Sequence, residues 1–102
     1  MLQGDYLNYY ENGTLFEKNP YKDDEYHGLV TEYYSNGKIK KETPFEFGEI
    51  NGIQKFYDIK GHLTMEKSYR FDELHGETKH FNSDGSIKKT DNYFSGILIV
   101  NK

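Results

Sequence analysis

Glycine returns every 24 residues in this chain. Gly4, Gly28, Gly52 and Gly76 form one series, and Gly13, Gly37, Gly61 and Gly85 follow nine residues behind it. Other residue types come back in phase: Tyr9, Tyr33, Tyr57 and Phe81; Leu15, Ile39, Leu63 and Ile87; Tyr21, Phe45, Tyr69 and Tyr93. A fixed period of this size marks a repeat architecture, in which one small unit is copied and stacked. The recurring residues are accounted for by the backbone of the unit. Little is left over to assemble a catalytic constellation.

The unit from residue 28 to 51 reads as a β-hairpin. A run rich in β-branched and aromatic residues ends at Ser35-Asn36-Gly37, and a second such run leads to Phe45. The corresponding turns are Glu11-Asn12-Gly13, Ile59-Lys60-Gly61 and Ser83-Asp84-Gly85, so only glycine is common to all four. One backbone position therefore needs positive φ. A three-residue loop over residues 35–37 pairs Tyr33 with Ile39, and predicts a type I turn with a glycine bulge. Leu29, Thr31, Tyr33, Ile39 and Phe45 are then expected on one face.

Each unit has a second connection, marked by Asp24, Gly48, Asp72 and Gly96. Beyond it, alternation from Tyr26 through Gly28 puts Tyr33 on the wrong face. A one-residue slip at Gly28, Gly52 and Gly76 is the expected repair. Pro20 and Pro44 fall late in second strands, where a missing N–H is tolerated only at an edge or an end. No stretch carries a sustained helical apolar stripe. The expected fold is all-β: an antiparallel meander of four 24-residue hairpin repeats in one elongated sheet or solenoid. It forms a single domain over 1–102 with units 4–27, 28–51, 52–75 and 76–100. The apolar end, Ile97-Leu98-Ile99-Val100, is expected to pair as a last strand or to dock on a partner.

Composition agrees with a thin fold. Hydrophobic residues make up only 34% of the 102 residues, too few for a thick aliphatic core, while ten tyrosines and seven phenylalanines offer amphipathic rings. A net charge of -4 with both signs interspersed does not suit a nucleic-acid binder, which needs a basic face. It equally lacks the basic patch that anionic lipid recruits. With no cysteine there is no disulfide, thiolate ligand or thiol nucleophile. No apolar run is long enough to span a membrane as a helix, and the start lacks a signal-peptide pattern. A cytoplasmic protein is expected, with export left open if a leader was removed.

The same residues resemble the MORN-repeat variant of bacterial proteins, of the kind described as the YwqK family of antitoxins. The pattern is met by Gly28, Tyr33-Tyr34, Asn36-Gly37, Ile39, Glu42, Phe45 and Ile50-Asn51-Gly52. It returns as Gly52, Phe56-Tyr57, Gly61, Leu63, Glu66, Tyr69 and Leu74-His75-Gly76. The first unit departs with Lys18 in place of the glutamate. The fourth departs with Thr90 there and Leu98-Ile99-Val100 in place of the tripeptide. The resemblance implies a stack of hairpins serving as an interaction surface, in the antitoxin case one that binds and neutralises a partner protein. It carries over no catalytic residue.

Sharper chemistry fits less well. His27 and His75 share a phase two units apart, about 19 Å across a sheet, too far to hold one metal. The segment 80–85 echoes a calcium loop but lacks the acidic residues at its two anchoring positions. Glu42 and Glu66 recur with the repeat rather than pairing as acid and base. No nucleophile elbow or phosphate loop is present. The expectation is a non-enzymatic module without metal or cofactor that binds an unidentified protein. Its contact residues are expected to be Tyr9, Tyr21, Tyr33, Tyr57 and Tyr69 with the C-terminal strand, because tyrosine buries large area at low entropy cost. Self-association through sheet edges or that strand is a further expectation. The alternative is a carbohydrate- or choline-type binder that uses the same rings.

Overall fold

The computed structural model describes residues 2–100. Eleven strands follow one another: β1 (Gly4–Tyr9), β2 (Leu15–Lys22), β3 (Glu25–Tyr26), β4 (Gly28–Tyr33), β5 (Ile39–Glu46), β6 (Glu49–Ile50), β7 (Gly52–Tyr57), β8 (Leu63–Arg70), β9 (Glu73–Phe81), β10 (Ile87–Phe94) and β11 (Ile97–Ile99). They form one sheet in the order β1-β2-β4-β5-β7-β8-β9-β10-β11, with β3 on β2 and β6 on β5, and every pairing is antiparallel. The sheet measures 49 × 33 × 15 Å. All eleven described strands belong to this one sheet, so no second sheet packs on either face.

The hairpin tips repeat one geometry. In the second unit Gly37 N–H donates to the Tyr34 carbonyl at 2.9 Å and Tyr34 N–H to the Lys38 carbonyl at 2.8 Å. Gly37 has φ +88°, so the loop is the expected type I turn closed by a glycine bulge. Asn12, Asn36 and Asp84 each accept the N–H two residues ahead at 2.9 Å. Lys60 cannot accept. In its unit Asp58 Oδ1 instead takes the N–H groups of Lys60 and His62, each at 2.9 Å.

Two register features differ from expectation. Tyr33 does pair with Ile39, but the next pair is Glu32 with Lys41, so Lys40 bulges out. The bulge reverses the alternation, and Phe45 pairs with Gly28 on the face opposite Leu29, Thr31 and Tyr33. The second correction concerns the slip at Gly28. β2 pairs Tyr21 with Tyr26, then Lys18 with Thr31, which is a shift of two residues rather than one. A shift of two preserves parity, so Tyr26 and Tyr33 occupy opposite faces. Pro20 sits across from this slip. Its carbonyl accepts the His27 N–H at 3.0 Å, so its ring nitrogen points to the same edge, where the extra residues remove the need for a donor.

The second connections are two-residue turns with positive φ at both positions, as at Phe47 (50°) and Gly48 (79°). This is the type I′ hairpin, whose twist matches that of its strands.

The core lies on the face that carries Phe45. Tyr21, Tyr26 and Phe45 run across the strands with ring centroids 4.9 Å apart at each step. Ile50, Tyr69 and Leu74 continue the row by register. Beside it lies a line of small, mostly polar side chains, in which Asn19, Val30, Thr43, Gln54 and Thr78 are buried. Gln54 Nε2 donates to Thr43 Oγ1 at 2.9 Å within that line.

Units are tied together at both margins. At the tips Tyr10 Oη donates to the Tyr33 carbonyl at 2.6 Å and Tyr34 Oη to the Tyr57 carbonyl at 2.7 Å. At the other margin His27 Nδ1, Asn51 Oδ1 and His75 Nδ1 accept the N–H groups of Phe47, Phe71 and Ser95 at 3.4, 3.2 and 3.3 Å. These three positions therefore cap turns of the following unit.

Candidate interaction surface

The five tyrosines expected to form one contact surface do not share a face. Tyr33 and Tyr57 pair with Ile39 and Leu63, and Tyr9 with Leu15, all on the face opposite Phe45. Tyr21 and Tyr69 stand on the Phe45 face, within the ring row of the core. The Lys40 bulge and its counterparts cause the split. The same register break occurs at residues 16 and 64 in the first and third hairpins, and at 88 in the fourth.

The Tyr33 face is uncovered. Leu29 and Ile53 are 44% and 49% exposed there, and Tyr9 is 59% exposed. Tyr33 and Tyr57 are half-buried. Tyr57 Oη donates to Glu42 Oε1 at 3.0 Å. Burial first, then that hydrogen bond, pushes its phenol above the ordinary value. On the other face the Tyr26 phenol is pushed up to about 12, first by its hydrogen bond with Tyr21 and then by burial.

Sequence reasoning missed the turn margin. Phe47 and Phe71, 24 residues apart, are 66% and 49% exposed in left-handed backbone, with φ of 50° and 42°. A bulky residue there is strained, and at this exposure packing offsets little of the cost. The signal available in the sequence was an aromatic residue directly before the turn position in two of the four units.

At the junction of the third and fourth tips two clefts open, of about 500 and 320 Å³. Both are lined by Phe81, the first with His62, Leu63 and Asp84, the second with Thr64, His80 and Lys88. His62 Nδ1 lies 3.3 Å from Asp58 Oδ2. The backbone N–H of His62 is the chief cause that holds the Asp58 carboxyl below its ordinary range. Among the described residues no group of three or more His, Cys, Asp or Glu side chains is placed to hold a metal ion. Among the described residues no helix is long and apolar enough to cross a membrane.

Known proteins bear on the fold and the family. Among solved structures, a chain in the crystal structure of accessory secretory protein 1, 2 and 3 in Streptococcus pneumoniae matches 90% of this chain at 15% identity with a TM-score of 0.53. The match takes up 17% of that chain, and the likeness is one of fold. No curated protein sequence matches the chain. The family model of the MORN repeat variant matches residues 2–23, 26–46 and 74–94. The unmatched third unit builds the same hairpin from β7 and β8. With more than half of its residues covered and the same hairpin in all four units, the chain belongs to the MORN repeat variant family.

Proposed function

We propose that this chain is a non-enzymatic protein-interaction module that receives a partner protein on its Tyr33 face. The observation that carries the reading is the face of a one-layer sheet that no second sheet covers, with Leu29 and Ile53 nearly half exposed on one side of the polar line Thr31, Glu42 and Lys55, and Tyr33 and Tyr57 on the other. Protein interfaces are enriched in such aromatic groups. The Tyr57 hydroxyl is held by Glu42 before binding, so a partner meets an ordered ring there. An antitoxin-like role, in which the bound partner is a toxin held inactive, is the specific form that the family resemblance suggests.

Ligand stacking between rings has less support. On the Phe45 face the rings of Tyr21, Tyr26 and Phe45 touch one another at 4.9 Å, which leaves no gap for a sugar or a quaternary ammonium between them.

Capture from the source cell tests the proposal. The wild-type chain should retain a defined partner, and the Leu29→Ser, Ile53→Ser pair should lose it while keeping the β-sheet circular dichroism spectrum. Capture unchanged by the pair would place the contact elsewhere.

A further inference from the structure

The first two tips each insert a tyrosine toward the next unit, and the third tip does not. Tyr10 and Tyr34 reach the carbonyls of Tyr33 and Tyr57 at 2.6 and 2.7 Å. Each ring is covered by the bulged residue of its own second strand. Phe16 stacks on Tyr10 with centroids 4.9 Å apart, and Lys40 Nζ lies 5.8 Å from the centre of the Tyr34 ring. Asn12 and Asn36 add bonds to the carbonyls of Ser35 and Ile59 at 3.3 and 3.1 Å.

In the third tip the equivalent positions are Asp58 and Lys60. Asp58 turns back to cap its own loop through Lys60 and His62. No described side chain donates to the Phe81 carbonyl, which is the counterpart of the Tyr33 and Tyr57 carbonyls. The 320 Å³ cleft lies at this place, lined by Thr64, the counterpart of Phe16 and Lys40, together with His80, Phe81, Lys88 and Lys89. Its volume falls in the range of small-ligand clefts, ~300–1,000 Å³.

We propose that this junction is a receptor slot for a phenol, filled by a tyrosine side chain that the partner protein presents. The ring would lie beneath Thr64 and its hydroxyl would donate to the Phe81 carbonyl, completing the bridge that Tyr10 and Tyr34 make within the chain. Lys88, which makes no ion pair among the described residues, stands beside the slot as a cation available to the ring face. The proposal rests on the reading of the chain as a protein-interaction module and adds an anchor at the tip margin, where His80 and Lys89 line the slot from the Phe45 side of the sheet.

The test is a titration with N-acetyltyrosinamide followed by two-dimensional amide NMR, with N-acetylphenylalaninamide as control. Shifts should be confined to Thr64, Phe81, Asn82 and Lys88, with millimolar affinity. The phenylalanine analogue, lacking the hydroxyl, should bind about fivefold more weakly, the worth of one hydrogen bond. The Asp58→Tyr, Lys60→Asn double variant fills the slot from within and should abolish the shifts. Thr64→Trp, at an exposed position away from the turn, should do the same if the double variant folds poorly. Shifts spread over the sheet, equal binding of both amides, or binding that survives Thr64→Trp would overturn the slot. Loss of the slot with partner capture still sensitive to Leu29 and Ile53 would leave the Tyr33 face as the interaction surface.

Discussion

Tyr34 Oη lies 2.7 Å from the carbonyl oxygen of Tyr57, 23 residues ahead in sequence and one hairpin away in space. The bond joins neighbouring units at a point that backbone pairing does not reach, because β5 and β7 pair only at Lys41 with Phe56 and Glu42 with Lys55. In a stack of units, stability is the sum of unit and junction terms, so such a bridge acts directly on the junction. Tyr34→Phe keeps the ring and removes the donor. It should cost about 1 kcal/mol, and Tyr10→Phe should cost a similar amount at the first junction. Denaturant melts of the two single variants and the double check this, and the two losses should add because the sites share no partner.

Thr78 is the converse case. Its Oγ1 is buried without a hydrogen-bond partner among the described residues. Two units earlier the same phase is Val30, also buried. Thr78→Val copies that solution with nearly the same shape. Removing an unsatisfied buried hydroxyl should stabilise the chain by about 1 kcal/mol, read as a higher urea midpoint with an unchanged slope.

Gly52 has φ +119°, and a Cβ there would stand 3.1 Å from Pro44 Cγ. Both the backbone and the proline oppose any side chain. Gly52→Ala should cost ~1–3 kcal/mol. Gly13→Ala has only the backbone term, since nothing lies within 4 Å of its Cβ position, and should be milder. Thermal melts of the two variants should separate these contributions.

Alkaline pH should weaken the sheet through Tyr26. Its phenol sits at about 12 in the fold against an ordinary value of 10.0. A raised value means that the folded state holds its proton longer. Its stabilisation is complete below pH 10 and is lost as the pH climbs from 10 toward 12, where the unfolded chain ionises first. Urea midpoints should fall across that window. Tyr26→Phe should flatten this part of the fall.

The repeat, the all-β class and both turn positions were legible because each is written by a residue with one conformational reason to be there. Gly37 and Gly48 need positive φ, and alternation around them marks strands. Face assignment was not legible. It depends on parity, and parity turns on whether a bulge adds one residue or two. Lys40 is an ordinary lysine whose bulge is set by pairing across β4, and the slip beside Gly28 is set by how β2 divides between β3 and β4. Neither leaves a mark on composition. For this reason Tyr21 and Tyr69 were grouped with Tyr9, Tyr33 and Tyr57, although two registers separate them.

Phe47 offers a test in which stability and binding should move in opposite directions. Its φ of 50° in a type I′ turn is a position that asparagine takes readily and a bulky ring does not. The left-handed conformation costs a residue of this kind roughly 1–2 kcal/mol, and the ring recovers little by packing since it is 66% exposed. Its ring contact with a neighbouring unit is the edge of His27, 5.4 Å away between centroids. Phe47→Asn should therefore raise the melting temperature. If the strained ring is kept for a partner, the same substitution should weaken capture of that partner, and Phe71→Asn should add to the loss. A variant that gains stability and binds as before would show that Phe47 is strained without serving the interaction.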